Sequence, residues 1–203
     1  MSNPEVFTLS DEDLLEMLDA GDGVFLKLDL FNELADRHWN RNELDKAADY
    51  LERLISEYDG KIETGTLVNA RYKQALWYFR AEDFEVAYTY ATKGITQWQA
   101  DHMPDYFYLE WAKCAIVELR SGMELGFISV VPEKAESLLE ISKMLKLNNY
   151  IQMTYMIIAE AYFHLEQDDK CEEYLKLAEN SDEVSDNTKE RLDFFRNEMN
   201  APK

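Results

Sequence analysis

The chain has 203 residues, 46% apolar and 31% charged, with 41 acidic against 21 basic side chains and a formal charge of −20. That apolar share supplies a core for one domain or two small ones. Only 7 Gly and 4 Pro argue against a turn-rich β architecture, and the acid excess argues against a nucleic-acid partner, because phosphate affinity comes mostly from Lys and Arg. No apolar run approaches the roughly 20 residues that span a bilayer. The first 25 residues carry neither a basic nor an apolar leader segment, so the expected location is cytoplasmic, away from membranes.

Residues 1–9 read as an arm. Ser10 then starts a short helix as its cap, with Asp13 three residues on; Leu14, Leu15 and Leu18 give it an apolar face, and Gly21 and Gly23 end it. From there helix follows helix, for about ten in all and no sheet. Gly60 and Gly65 punctuate the first third, Pro104 opens a helix after Asp101, and Pro132 stands at a helix start, where its missing N–H is not needed. Gly94 lies inside a helix, at a position expected to face a neighbour. A polar stretch, Glu179 to Asp186, leads to a last helix at about 186–199 with Leu192, Phe194, Phe195 and Met199 on its apolar face.

The helices repeat a pattern. Four have a small residue near the middle, Ala35, Ala75, Ala112 and Ala159, and each is followed by a second helix anchored on Ala47, Ala87, Ala135 or Cys171. The separations are 12, 12, 23 and 12. Three residues past the first anchors stand His38, Tyr78, Ala115 and Tyr162; three past the second stand Tyr50, Tyr90, Leu138 and Tyr174. Small residues let two helices approach and large ones fill the space beside them, which stacked helical hairpins need at every repeat.

This pattern resembles the tetratricopeptide (TPR) repeat, which has small residues twelve apart in a helical hairpin. The resemblance covers about residues 24–180, although the closing Pro is missing and the anchor spacings of 40, 48 and 36 exceed the usual ~34. It implies an all-α fold: a right-handed α-solenoid of about four TPR-like hairpins. A short N-terminal helix within residues 1–23 and a capping helix within 181–203 complete it. The third hairpin is longer by 11 residues, an insertion placed at Ser121–Val131 whose Phe127, Ile128, Val130 and Val131 are too apolar for a plain loop. They are expected to tuck into the core or to hook a partner.

Signals of catalysis are weak. No glycine-rich phosphate loop occurs, nor HExxH, nor Glu-x-x-His, so no enzyme activity, cofactor or metal is expected. His38 and His164 read as structural, Cys171 as a buried thiol in the place of an anchor alanine, and Cys114 lacks any identifiable base.

Binding signals are better. The resemblance implies that the first helix of each hairpin lines a concave groove. Its register gives Asn32, Asp36 and Trp39 in repeat one, and Asn69, Tyr72, Lys73, Phe79 and Arg80 in repeat two. Repeat three contributes Tyr106, Glu110 and Lys113, and repeat four Met153 and Met156. Neighbouring Ile116, Ile157 and Phe163 read more readily as core. Aromatics offer contact area at low entropy cost and Met adapts to irregular partners. The family also includes a clamp for acidic chaperone tails, but Asn32 and Asp36 stand where its basic first-repeat groups belong, so such tails are not expected here.

The reading that follows is a non-enzymatic binding module for a protein or peptide: an adaptor, chaperone or regulatory subunit. No Arg falls between Arg120 and Arg191 while acids cluster in Glu166–Asp186, so the field favours a basic partner. The alternatives are an acidic inhibitor or immunity-type mimic that sequesters a basic protein, and a peptide-sensing regulator resembling the repeat domains of bacterial pheromone receptors. The oligomeric state is left open, a homodimer included.

Overall fold

The computed structural model describes residues 6–20, 23–100, 108–181 and 186–200. The chain divides into two compact units, Met1–Pro104 and Asp105–Lys203. The first contains a 3-10 turn, Val6–Thr8, then α1 (Asp11–Ala20), α2 (Val24–Asn40), α3 (Leu44–Tyr58), α4 (Thr64–Arg80) and α5 (Phe84–Ala100). The second contains α6 (Tyr108–Glu124), a 3-10 turn at Ile128–Val130, α7 (Val131–Met144), α8 (Asn148–His164), α9 (Asp168–Glu179) and α10 (Asp186–Asn200). Among the described residues there is no strand.

Every repeat anchor is buried. Ala35, Ala47, Ala75, Ala87, Ala112, Ala135, Ala159 and Cys171 are all 0% exposed, as helices packed at small residues require. Helix α2 pairs with α3, α4 with α5, and α8 with α9, so three of the expected hairpins form as read. Gly94 is buried inside α5, and Pro132 opens α7.

The hairpin turns share one device. Two residues past the end of α2 stands Asn42, in the left-handed region at φ 62°, and two past α4 stands Glu82, φ 63°. Lys146, φ 56°, and Glu166, φ 55°, hold the same place after α7 and α8. After α2, the Asn42 N–H donates to the Trp39 carbonyl at 2.8 Å and the Glu43 N–H to the His38 carbonyl at 2.9 Å. The same pair of bonds recurs after α4, α7 and α8, and after α6 around Gly126, φ 82°. This double bond satisfies carbonyls that a helix end would otherwise leave open. Gly65, read above as a break between repeats, instead lies in the first turn of α4 and is buried.

The third hairpin differs from its expected form. Most of its extra length is helix: α6 continues to Glu124, twelve residues past Ala112, whereas α2 stops five residues past Ala35. Ser121 and Gly122, placed in the insertion by sequence, are buried helical residues. The apolar run then divides. Val131 enters the core at 2% exposure, while Phe127 and Val130 are 48% and 46% exposed.

The N-terminal segment packs into the core of the first unit. Val6, Leu14 and Leu18 join Leu30, Phe31, Leu34, Leu51 and Leu54 there. The Asp13 N–H donates to Ser10 Oγ and the Ser10 N–H to Asp13 Oδ2, both at 3.1 Å, a reciprocal cap with Asp in the position usual for Glu. Arg37 of α2 clasps the segment, donating to the Leu9 carbonyl at 2.6 Å and to Asp11 at 3.0 Å, and Arg41 also reaches Asp11. The Arg41 hydrogen bond does most to hold the Asp11 carboxyl down at about 2, against an opposing effect of burial and with Arg37 adding to the lowering. A carboxyl lowered on folding stabilises the fold above its unfolded pKa and loses that contribution as pH falls through the folded one. Asp11→Asn is therefore expected to destabilise the protein at neutral pH, with the difference from wild type vanishing between about pH 4 and pH 2. Urea titrations of both proteins across that range measure it, and a difference independent of pH would show that the clasp contributes nothing.

At the other end α10 docks with Leu192 and Phe195, 2% and 4% exposed, the latter ring 5.3 Å from Phe163 of α8. Phe194, expected on the same face, is 54% exposed, because consecutive helical residues point about 100° apart.

Candidate binding surface

In the first unit the expected groove residues come from α2 and α4. Asn32, Asp36 and Trp39 fall at helical spacing along one stripe of α2; Asn69, Tyr72, Lys73, Phe79 and Arg80 do so along α4. The two stripes meet at Lys73. Its Nζ donates to Asp36 Oδ2 at 2.8 Å and Oδ1 at 2.9 Å, and to Asn32 Oδ1 at 3.2 Å. Asn32 Nδ2 in turn donates to the Leu28 carbonyl at 2.9 Å, which fixes the amide's orientation. Lys73 is thus committed to a partner inside the chain. With side-chain exposures of 25% and 44%, Lys73 and Asp36 remain open to solvent.

Aromatic rings border this polar centre. Trp39 stacks on Trp77 of α4 with centroids 5.4 Å apart and planes 9° from parallel. Trp39 is half-buried against the core and Trp77 is 5% exposed, so the Trp39 ring divides its faces between core and surface. Phe79 is half-buried with its ring against Phe84, 5.5 Å away, and Arg80 is exposed. Asn69 and Tyr72 are half-buried.

In the second unit the expected residues scatter more. Lys113 lies 3.7 Å from Glu110, its neighbour one turn back on α6. Met153 is 38% exposed, but Met156 is 4% exposed and belongs to the core with Ile157 and Ile116. Met156 is therefore a packing residue, contrary to the register read from sequence: three residues beyond Met153 it has turned inward on α8. Tyr106 lies outside the described residues.

The groups read as structural are placed as follows. His38 is buried, its ring stacked on Tyr50 at 5.3 Å and its Nδ1 in contact with Glu43. His164 is exposed at the end of α8, with its ring edge-on to Phe163. Cys114 and Cys171 are both 0% exposed. Burial pushes the Cys114 thiol up to about 12 and that of Cys171 to about 11, so neither presents a thiolate near neutrality. Among the described residues no three His, Cys, Asp or Glu side chains converge as metal ligands would.

One polar cluster was not read from sequence. Arg71 of α4, 8% exposed, meets Glu52 of α3 with both terminal nitrogens, Nη2 to Oε1 at 3.1 Å, and donates through Nη1 to Gln74 Oε1 at 3.1 Å. Gln74, 0% exposed, donates to the Ala48 carbonyl at 2.9 Å. Next to it the Tyr78 hydroxyl donates to Asp45 at 3.0 Å and the Tyr78 ring stacks on Tyr90 at 5.7 Å. The available signal was spacing: Arg71, Gln74 and Tyr78 recur at helical intervals beside the anchor Ala75. A polar series on a core face calls for partners from the helix opposite.

No protein-family model and no curated protein matches the chain. Solved structures do. The apo form of RapI superposes with a TM-score of 0.76 at 17% identity, covering 93% of this chain and 53% of RapI, so the chain spans about half of RapI's length. A putative kinesin light chain of Podosopora anserina, with nearly identical TPR-like repeats, superposes with a TM-score of 0.62 at 13% identity, covering 95% of this chain and 86% of that one. Its Q17M form gives 0.64 at 15% identity, with 83% and 81% covered. Buried small-residue anchors on paired helices, identical turn bonds and these likenesses agree that the chain has the all-α, TPR-like solenoid fold.

Proposed function

We propose that the chain is a binding module without catalysis of its own, working in the cytoplasm, that holds a protein or peptide segment on the face formed by α2 and α4. The observation that carries this reading is the α2–α4 stripe itself. An accessible polar centre, Asn32, Asp36 and Lys73, is flanked by half-buried Asn69, Tyr72 and Trp39. The amides can pair with a peptide backbone, and the aromatic rings supply contact area for an extended or helical segment. The Lys73–Asp36 pair presents a cation and an anion side by side, which suits the dipolar groups of a backbone more than a single strong charge. The fold shared with TPR-like repeats supports a role in holding other proteins.

The test starts with pulldown of the partner and kinetic measurement of its complex. Truncating a central aromatic anchor costs ~2 kcal/mol or more at such surfaces, mostly in dissociation. Tyr72→Ala is expected to raise the dissociation rate about tenfold or more. Normal binding by folded Tyr72→Ala and Trp39→Ala proteins would refute the α2–α4 face.

A second reading, an acidic protein that sequesters a basic one, draws on the charge of −20 and on exposed Asp168, Asp169 and Glu173 of α9. It predicts capture of several basic proteins that is lost at high salt, whereas the α2–α4 face predicts one partner retained there.

A further inference from the structure

Helix α10 runs along α8 in the same direction, with Thr188 beside Gln152, Arg191 beside Glu160 and Phe195 beside Phe163. The residues it turns to the body of the second unit, Thr188, Arg191, Leu192, Phe195 and Arg196, fall at i, i+3, i+4, i+7 and i+8. That is the spacing by which an amphipathic helix enters a groove on another protein. Of the described side chains of α10 only Leu192 and Phe195 are buried, and the rest of the hold is polar. Thr188 Oγ1 donates to Gln152 Oε1 at 3.4 Å and Arg191 Nη2 to Glu160 Oε2 at 2.5 Å. Arg196 Nη2 donates to Glu179 Oε2 of α9 at 2.9 Å, with its Nε 3.5 Å from Glu172 Oε2. The seat of α10 is thus an apolar slot beside Phe163 with an acidic rim, Glu160 on the α8 side and Glu172 and Glu179 on the α9 side.

The present occupant fills that seat imperfectly. Both ion pairs keep access to water: the side chains of Arg191 and Glu160 are 33% and 20% exposed, those of Arg196 and Glu179 28% and 51%. Pairs of this kind hold weakly and are screened by salt. The helix also carries four acids against three bases, and its Glu190, Asp193 and Glu198 face solvent. In a chain of charge −20 these outward acids add to self-repulsion, as do exposed Asp168, Asp169 and Glu173 of α9. A helix with the same inner residues and bases on its outer face would keep every contact that α10 makes and exchange repulsion for attraction.

We propose that the α8–α9 face is a seat for a basic amphipathic helix of a partner protein, and that α10 is its resident occupant, displaced when the partner binds. The pattern the seat selects is the one α10 displays: a leucine and, three residues on, an aromatic ring for the slot, with an arginine directly before the first and directly after the second. Resident occupation sets a threshold, since a partner helix binds only where its hold exceeds that of α10. The seat does not depend on the α2–α4 face and is tested apart from it.

The test titrates the full chain into fluorescein-labelled 15-residue peptides and reads their anisotropy. The first peptide has the sequence of α10, Asp186–Asn200. The second carries Glu190→Lys, Asp193→Lys and Glu198→Lys; the third adds Phe195→Ala to the second, at unchanged charge. Saturable binding of the second peptide is expected, at least tenfold tighter than that of the first and of the third. A chain with Phe195→Ala, whose own α10 is weakened, is expected to bind the second peptide at least tenfold tighter than wild type does. Hydrogen exchange of the wild-type chain gives a readout that stands even where this variant fails to fold: saturation with the second peptide should speed exchange of the α10 amides and leave those of α4 and α5 unchanged. Equal binding of the second and third peptides would reduce the effect to charge and overturn the proposal, as would a bound peptide that leaves α10 exchange unaltered. A wild-type dimer in sedimentation that dissociates on Phe195→Ala would make a second copy's α10 the occupant, and would overturn it too. The Tyr72→Ala chain is expected to bind the second peptide as wild type does, so a failure of the α2–α4 face leaves the seat standing; loss of the peptide in that variant would move it to α2–α4 and sink the seat.

Discussion

Ala87→Leu is expected to destabilise the protein by about 1–3 kcal/mol, because it forces extra methylenes into a closed helix–helix contact. Ala87 is 0% exposed on α5, where that helix packs against α4, and its counterpart Ala75 on α4 is equally inaccessible. A leucine there must either move α5 away from α4 or adopt a poor rotamer. The first option also strains the turn, since the Glu82 and Asp83 N–H groups bond to the Phe79 and Tyr78 carbonyls within a three-residue connection. Ala81→Leu, an exposed position six residues earlier, serves as the control and should change stability by less than about 0.5 kcal/mol. Urea unfolding followed by tryptophan fluorescence reads both, because the Trp39–Trp77 stack reports on the first unit. Equal midpoints for wild type and Ala87→Leu would show that α4 and α5 do not meet at these alanines.

The anchors were legible because their signal is local: a small residue at a fixed interval from another, with bulky neighbours one turn on. The turns were less so. Glycine usually occupies the left-handed position after a helix, but here Asn42, Glu82, Lys146 and Glu166 do as well, while Gly60 and Gly126 follow the expectation. Reading glycine as punctuation therefore misplaced Gly65, and assigning the extra anchor spacing to a loop lengthened the third connection at the expense of α6. The groove was legible as stripes but not as side-chain states. The register implied by the resemblance to the repeat put Asp36 and Lys73 on one face, yet their mutual ion pair depends on how α2 and α4 are set against each other. Met153 and Met156 sit three residues apart on α8, and which of them stays open is decided by packing around that helix rather than by its own period. The Arg71 network was missed for the same reason. A buried cation is recognised only when the helices opposite show what it has, or lacks, as a partner.

Arg71→Ala is expected to cost about 2–4 kcal/mol, and the network around it explains why the loss exceeds that of a surface ion pair. The side chain fills space between α3 and α4, with its guanidinium carbon 5.8 Å from the centre of the Tyr90 ring. Removing it opens a cavity, strips Gln74 Oε1 of a donor at a position with no access to water, and leaves Glu52 without its cation. Glu52 limits the damage: its side chain is 40% exposed and can rehydrate, which keeps the cost below that of a fully enclosed pair. Arg71→Met separates packing from charge, since it refills much of the cavity and restores no donor. Its cost should fall between wild type and Arg71→Ala. Acid dependence gives an independent check. Burial raises the Glu52 pKa, but the Arg71 hydrogen bond and charge outweigh it and hold the carboxyl below its usual value. The pair therefore stabilises the fold above the unfolded carboxylate pKa and ceases to do so as pH falls through the folded one. Wild type should lose stability relative to Arg71→Met as pH is lowered through that range. Combining Arg71→Met with Glu52→Gln should cost less than the two changes summed, since each alone removes the same contact. Strict additivity, together with parallel acid limbs, would mean that Arg71 acts through its bulk alone and that α3 and α4 are joined by apolar packing.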